Sequence, residues 1–176
     1  WAASALIILG GAVKGGMGIS KNFIKKIKDI ILPPGAKDIN KMANTCLNCN
    51  LCIQNCPNKI LVKANNTFPA VHIDYNKGEG YCKFDCIECS KACPSGAIAK
   101  ITLDEKQNTR IAMASINEEN CTLCGICISD CPKGAISKLE GKTVIDGSKC
   151  IGCGKCKQSC KFNAIEIYSI NEQRRI

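Results

Sequence analysis

The stretch that decides the fold is Cys121-Thr122-Leu123-Cys124-Gly125-Ile126-Cys127-Ile128-Ser129-Asp130-Cys131-Pro132. Its cysteines follow the spacing C-x2-C-x2-C-x3-C with proline after the last, which is the bacterial ferredoxin pattern for [4Fe–4S] ligands. All 16 cysteines of the 176-residue chain fall into four short runs, and runs one, three and four have this spacing. They are Cys46, Cys49, Cys52 and Cys56 (run one); Cys82, Cys86, Cys89 and Cys93 (run two); Cys121, Cys124, Cys127 and Cys131 (run three); and Cys150, Cys153, Cys156 and Cys160 (run four).

The spacing predicts how the runs share clusters. In two-cluster ferredoxins the first three cysteines of a run bind one cluster, and the fourth binds the other cluster. We therefore predict that all sixteen cysteines are iron ligands of four [4Fe–4S] clusters, and that the runs work in pairs. Consecutive pairing (one with two, three with four) and nested pairing (two with three, one with four) both satisfy the spacing.

Residues next to the runs indicate a repeated small unit. Glycine stands at positions 125, 152 and 154, where a loop must wrap closely around a cluster. The segment after the fourth cysteine recurs at 94–98, 132–136 and 161–165, each ending in Ala-Ile, and in a shorter form at 57–60. An internal repeat of this kind is typical of a supersecondary unit used several times.

The predicted fold is α+β, with tandem bacterial-type 2[4Fe–4S] ferredoxin modules built from short β-hairpins and short helices around a cluster-centred core. Strand-forming segments lie between the runs at 70–75, 110–116 and 141–146. We place the modules at residues 41–105 and 106–168. Because aromatic residues make up only 5% of the chain, cluster ligation must substitute for apolar burial, and cluster-free protein is expected to be unfolded or molten.

Other cysteine chemistries fit this spacing less well. Structural zinc uses two separated C-x2-C pairs around one ion, and disulfides favour dispersed cysteines. A [3Fe–4S] cluster usually shows as a missing second ligand, and no run lacks one.

Run two alone has three residues between its first two cysteines. Cys82-x3-Cys86-x2-Cys89 matches the radical S-adenosylmethionine signature, so a catalytic iron–sulfur enzyme is the alternative function. That family needs a large β/α barrel, for which the chain has no room. We interpret the extra residue as a local bulge that tunes the potential of one cluster.

Charge and motifs exclude several function classes. The formal charge of +9 counts every cysteine as neutral. An oxidised cluster with four thiolates carries about −2, so four clusters bring the loaded chain to about +1. The basic composition is therefore no sign of nucleic-acid binding, and no basic patch with interleaved aromatic residues is present. The sequence also lacks a dinucleotide-binding loop and a nucleophile elbow, so we expect an electron carrier rather than a catalyst.

The ends of the chain differ from its cysteine-rich middle. Residues 1–19 are apolar and glycine-rich, and we interpret them as a signal or membrane-anchor remnant. Residues 20–40 are expected to form a basic amphipathic helix from Ser20 to Leu32 and an extended proline-rich linker. The apolar stripe of that helix would contact a membrane surface or pack on the ferredoxin body. Residues 169–176 are interpreted as a polar tail, and the single histidine, His72, as structural.

The order of these features also resembles a known family. The order is the apolar N-terminus, Leu32-Pro33-Pro34-Gly35-Ala36, run one, Phe68-Pro69-Ala70, the irregular run two, and Ile111-Ala112-Met113-Ala114 before run three. It resembles the NapG/MauM group of ferredoxin-type proteins, which are four-cluster electron carriers of periplasmic nitrate reductase and methylamine-oxidising systems.

The resemblance implies an electron-transfer subunit of a membrane-associated, quinol-linked respiratory oxidoreductase complex. The expected donor is a membrane quinol-oxidising subunit or a dehydrogenase or hydrogenase module. The expected acceptor is a downstream reductase, cytochrome or iron–sulfur subunit, with membrane contact through residues 1–32. A twin-arginine leader, as in that family, implies the outer, periplasmic face. The lysines between 14 and 28 favour the alternative, the cytoplasmic face.

Overall fold

The computed structural model describes residues 30–63 and 71–175, which fold into short helices and small antiparallel sheets. The helices are α1 Ile39–Thr45, α2 Leu51–Gln54, α3 Glu88–Ala92, α4 Leu103–Gln107, α5 Ile126–Ser129 and α6 Lys155–Ser159. The strands are β1 Leu61–Lys63, β2 Val71–Ile73, β3 Thr109–Ile116, β4 Ile136–Leu139, β5 Lys142–Ile145 and β6 Ile165–Arg175. The predicted α+β class is confirmed.

The strands form three two-stranded antiparallel sheets, β1–β2, β4–β5 and β3–β6. Each of the three predicted strand segments contains a strand, namely β2, β3 and β5. The β4–β5 hairpin turns at Glu140 and Gly141, whose φ angles of 49° and 78° are both positive. Two central residues of positive φ give the turn whose twist matches that of paired strands.

Strand β3 belongs to the cores of both halves of the molecule. Ile111 and Ala112 are buried in the core formed around runs one and two, whereas Ala114 is buried in the core formed around runs three and four. The pairing of β3 with β6 shifts register between Arg110 and Ala112, as at a β-bulge. At this shift the Ile111 N–H donates to the Ile151 carbonyl at 3.0 Å, which ties β3 to run four.

The segment before run one differs from the prediction. The described part of this segment, from residue 30, is not helical as predicted: Ile31 forms an antiparallel bridge with Ile73, and Leu32 is buried. Pro33–Ala36 is a tight turn, closed by the Ala36 N–H and the Pro33 carbonyl, and not an extended linker. Proline disfavours the helical conformation in the residue before it, which here is Leu32. The extended backbone lets the apolar side chains of Ile31 and Leu32 pack on the first core.

The C-terminal segment also differs from the prediction. The chain from residue 169 continues β6, where Arg174 lies opposite Arg110 and Arg175 opposite Thr109. Backbone pairing does not require apolar side chains, so a polar composition did not reveal this strand. The predicted apolar segment 1–19, the start of the predicted basic helix and the Phe68-Pro69-Ala70 element lie outside the described residues. Over the described residues, no helix has the length and hydropathy needed to cross a bilayer.

Candidate iron–sulfur sites

The structure gathers the predicted cysteines into four groups of four, each with three from one run and the fourth from another run. Site one is Cys46, Cys49, Cys52 and Cys93; site two is Cys82, Cys86, Cys89 and Cys56; site three is Cys121, Cys124, Cys127 and Cys160; and site four is Cys150, Cys153, Cys156 and Cys131. Runs one and two therefore exchange their fourth cysteines, as do runs three and four. Of the two pairings that the spacing permits, the structure has the consecutive one.

The three regular runs share an unusual backbone conformation on both sides of the second cysteine. The flanking residues have positive φ in each: Asn48 (55°) and Asn50 (61°), Leu123 (59°) and Gly125 (81°), Gly152 (71°) and Gly154 (84°). The second residue of each pair is the N-cap of α2, α5 or α6. The left-handed residues make the loop tight enough to present three cysteines to one site, which explains the glycines that the sequence places there.

The repeat after each fourth cysteine has a structural role. The third residue beyond that cysteine has positive φ in all four runs, at Lys59, Gly96, Gly134 and Asn163. This turn directs an amide at the sulfur in two of them: Ile98 N–H donates to Cys93 Sγ at 3.4 Å and Ala135 N–H to Cys131 Sγ at 3.3 Å. Such hydrogen bonds stabilise a thiolate and help to set a cluster's potential.

Run two lacks this left-handed geometry. No residue from Lys83 to Ile87 has positive φ, and Ile87, the N-cap of α3, has φ of −130°. The three-residue gap instead turns the carbonyls of Lys83 and Phe84 toward Lys106. The Lys106 ammonium donates to both carbonyl oxygens, and its distance to the Phe84 oxygen is 2.8 Å. The contact of Lys106 with run two could not be predicted from the sequence, because a lysine in a short helix after the last cysteine of a run follows no ligand pattern.

The residues around the sites fit [4Fe–4S] clusters. The cavities at sites two and three measure about 360 Å³ each and the cavity at site four about 320 Å³, with open solvent at their mouths included. Their linings contain four cysteines each and no histidine or carboxylate, which is the donor set of a thiolate-ligated cubane. All sixteen cysteines lie in the described residues, and none forms a disulfide. Across those residues, no three Cys, His, Asp or Glu side chains converge closely enough to hold a single metal ion.

Burial raises the pKa of several of the free thiols. It raises the pKa of Cys52 and Cys82 to about 11 and that of Cys156 to about 12, and neighbouring cysteines add to these shifts. Burial also raises the pKa of Cys93, but hydrogen bonds from Ile98 and Ser95 outweigh it and leave the pKa below its usual value. Iron binds thiolates, so loading the buried sites releases protons.

Sites two and four meet at a buried tyrosine. The Tyr75 hydroxyl donates to the Gly152 carbonyl at 2.5 Å, and the Cys82 N–H donates to the Cys153 carbonyl at 2.7 Å. A Cβ on Gly154 would lie only 2.5 Å from the Tyr75 ring, so only glycine permits this packing. These contacts define a junction, formed by Tyr75, Cys82 and residues 152–154, between the two halves of the molecule.

Comparisons with known proteins agree with this geometry. The 4Fe-4S dicluster domain matches at residues 81–135 and again at 113–161, and a 4Fe-4S binding domain matches at 46–60. The first dicluster match covers runs two and three, and the second covers runs three and four. Their limits therefore do not coincide with the structural pairs, which are run one with run two and run three with run four.

Three relatives align over most of the chain. The methylamine utilization ferredoxin-type protein MauM of Methylophilus methylotrophus is 32% identical, over 78% of this chain and 69% of its own length. The ferredoxin-type protein NapG of Escherichia coli is 28% identical, over 85% and 74%. NapF of the same organism is 29% identical, over 84% and 90%.

These relatives are ferredoxin-type proteins and do not support the radical S-adenosylmethionine alternative. Cys56 also lies beside Cys82, Cys86 and Cys89 as a fourth thiol. The identity and extent of these alignments establish the family, and the four groups of thiols agree with it. The chain belongs to the MauM/NapG family of ferredoxin-type iron–sulfur proteins.

Proposed function

We propose that the chain holds four [4Fe–4S] clusters through its sixteen cysteines and works as an electron-transfer subunit, without catalysing a reaction of its own. The observation that carries the proposal is the gathering of every cysteine into a four-thiol group. Each bound cluster would supply one-electron redox chemistry. The protein's part is to hold the thiolates, to exclude water and to set the order of the sites.

The contacts between the groups give that order. Sites one and two share the packed helices α2 and α3, and sites three and four share α5 and α6. The junction at Tyr75 joins site two to site four. The sites therefore follow the order one, two, four, three, which differs from the order of the runs along the chain.

The two outer sites reach the surface. Cys49 of site one and Cys124 of site three are the exposed cysteines, whereas the thiols of sites two and four are half-buried or buried. Large apolar side chains are exposed beside the same outer sites: Leu47 and Leu51 at site one, and Leu123, Ile126 and Phe162 at site three. This placement supports a donor contact at one outer site and an acceptor contact at the other.

We further propose that the partners belong to a membrane-associated, quinol-linked respiratory complex. The donor would be a quinol-oxidising subunit or a dehydrogenase or hydrogenase module, and the acceptor a reductase, cytochrome or iron–sulfur subunit. The names of the relatives, a ferredoxin-type protein of methylamine utilization and the Nap ferredoxin-type proteins, support redox partners in general. The apolar composition of residues 1–19 supports a membrane contact through the segment that precedes the buried Ile31 and Leu32. We propose the periplasmic face as the location.

Metal analysis tests the cluster count. Protein purified anaerobically should contain about sixteen irons and sixteen sulfides per chain. Its reduced state should give electron paramagnetic resonance (EPR) signals broadened by coupling between neighbouring clusters. About eight irons in a fully folded protein would reduce the proposal to one cluster pair, and an iron-free folded protein would overturn it.

A second experiment tests the cellular context. Loaded protein mixed anaerobically with membranes of the source organism should be reduced when a quinol analogue is added, and a quinol-site inhibitor should block the reduction. Protease added to intact spheroplasts should degrade the protein if it lies on the outer face. Protection that is lost only after lysis would place it on the cytoplasmic face instead.

A further inference from the structure

Lys106 is a buried cation in the middle of the molecule. It lies in α4, and only 2% of its surface is exposed. Its ammonium donates to two carbonyls of run two and lies 5.8 Å from the centre of the Phe84 ring. None of the ion pairs found among the described residues includes Lys106. A buried ammonium is costly unless a negative charge compensates it, and two carbonyls supply only partial charges.

The candidate anions are the neighbouring sites. The two carbonyls belong to Lys83 and Phe84, which lie between Cys82 and Cys86 of site two. Burial raises the pKa of Cys82, and the charge of Lys106 is the largest effect that opposes this rise. Lys106 also opposes the rise that burial causes in the pKa of Cys153, in site four. Hydrogen bonds hold the ammonium at site two, and the 2.7 Å hydrogen bond from the Cys82 N–H to the Cys153 carbonyl places site four beside the same end of run two.

We propose that Lys106 is a built-in counter-cation of sites two and four that raises the reduction potentials of the clusters bound there. The inference rests on the proposed function, since it requires clusters at these sites. An oxidised four-thiolate cluster carries about −2 and gains a further negative charge on reduction. A fixed positive charge in a dry environment favours the more negative, reduced form.

The inference also explains the irregular spacing of run two. In the regular runs the corresponding loop residues have left-handed conformations, which run two lacks. The extra residue of run two opens the loop so that two successive carbonyls face α4. The capping box of Thr102 and Glu105 fixes the first turn of that helix and so the position of Lys106. The longer gap thus becomes a binding site for one ammonium.

Three substitutions separate charge from packing. Lys106→Arg keeps the charge, Lys106→Gln keeps hydrogen-bond donors without the charge, and Lys106→Met keeps only apolar volume. Lys100→Gln removes an exposed lysine near α4 and serves as the control. Each loaded protein is titrated anaerobically with dithionite, and EPR follows the midpoint potentials. Iron content is measured on the same samples.

Two of the four midpoint potentials should fall in Lys106→Gln and Lys106→Met. The expected change is at least tenfold in the reduction equilibrium, which corresponds to about 59 mV for one electron. Lys106→Arg should restore most of the wild-type values, and Lys100→Gln should leave all four unchanged. A protein with about sixteen irons whose potentials do not move in Lys106→Gln would overturn this inference and leave the proposed function intact. A wild-type protein without iron would overturn both.

If Lys106→Met fails to fold, Lys106→Gln and Lys106→Arg still decide the question. A purely structural lysine predicts that both variants lose iron equally, with no selective shift of two potentials. A counter-cation predicts that the neutral glutamine variant differs from the charged arginine variant at equal iron content.

Discussion

Gly154 and Gly125 occupy the same position in runs four and three, with φ angles of 84° and 81°. They differ in their surroundings: a Cβ on Gly154 would meet the Tyr75 ring at 2.5 Å, whereas a Cβ on Gly125 would meet nothing within 4 Å. Gly125→Ala should cost only the left-handed strain, about 1–2 kcal/mol. Gly154→Ala should cost about 1–3 kcal/mol more, because the ring must move.

The measurement is the rate at which iron–sulfur absorbance bleaches in guanidinium under anaerobic conditions. Both variants should bleach faster than the wild type, and Gly154→Ala fastest. Equal rates for the two alanine variants would show that the contact at Tyr75 is not tight.

At the same residue scale, His72 makes the stability of the folded protein depend on pH. Burial lowers its pKa below 6.5, and its Nδ1 has no hydrogen-bond partner among the described residues. The folded protein therefore binds a proton at His72 less readily than the unfolded chain, in which the pKa has its ordinary value of 6.5. Its contribution to stability is present above that pH and is lost as the pH falls through the lowered folded value.

His72→Gln removes this titration. Between pH 7.5 and pH 5.5 the wild type should lose more resistance to guanidinium than the glutamine variant. Acid-driven loss of clusters affects both proteins and cancels in the comparison. Parallel pH profiles would contradict the assignment.

At the scale of the element, helix α4 depends on its first turn. The Thr102 hydroxyl accepts from the Glu105 N–H at 3.1 Å, and the Glu105 carboxylate accepts from the Thr102 N–H at 2.8 Å. Thr102→Ala removes one half of this capping box and should destabilise the helix by about 1 kcal/mol. Amide hydrogen exchange in α4 should then accelerate by about fivefold, while Thr102→Ser should stay close to wild type. Unchanged exchange in the alanine variant would contradict a role for the cap.

At the scale of the whole molecule, the Tyr75 junction is the contact through which we expect the clusters of sites two and four to couple. Tyr75→Phe keeps the ring between the halves and removes the hydroxyl that donates to Gly152. Tyr75→Ala removes the ring as well and should loosen the contact between sites two and four. The magnetic coupling between the halves should therefore weaken strongly in Tyr75→Ala and little in Tyr75→Phe, as measured by EPR of the fully reduced protein. Tyr168→Ala, which removes an exposed ring, is the control. Full coupling in Tyr75→Ala would reject the site order proposed above.

Removal of the clusters tests what holds the whole molecule together. The two cores include cysteines of all four sites among a limited set of aliphatic side chains. Anaerobic treatment with an iron chelator should therefore abolish near-ultraviolet circular dichroism along with the iron–sulfur absorbance. A chelated protein that keeps a sharp cooperative unfolding transition would show that the apolar core suffices.

The amino-acid sequence alone was enough to predict the sixteen cysteines as iron ligands and the local loops that carry them. Thiolate spacing is a short-range geometric requirement, so the run from Cys121 to Cys131 and its repeats predicted that three cysteines of each run would lie together and that the fourth would join another run. The glycines at 125, 152 and 154 were predictable for the same reason, because a left-handed residue is a local property. The strands between the runs followed from their β-branched composition.

Only the tertiary structure decided the contacts between distant segments. The consecutive pairing, the Tyr75 junction and the resulting order of the sites join residues far apart in sequence, and spacing within a run carries no information about them. Lys106 reaches run two only because α4 packs beside it, so its position could not be read from a pattern. The β6 extension depends on backbone hydrogen bonds to β3, which form with polar side chains as readily as with apolar ones.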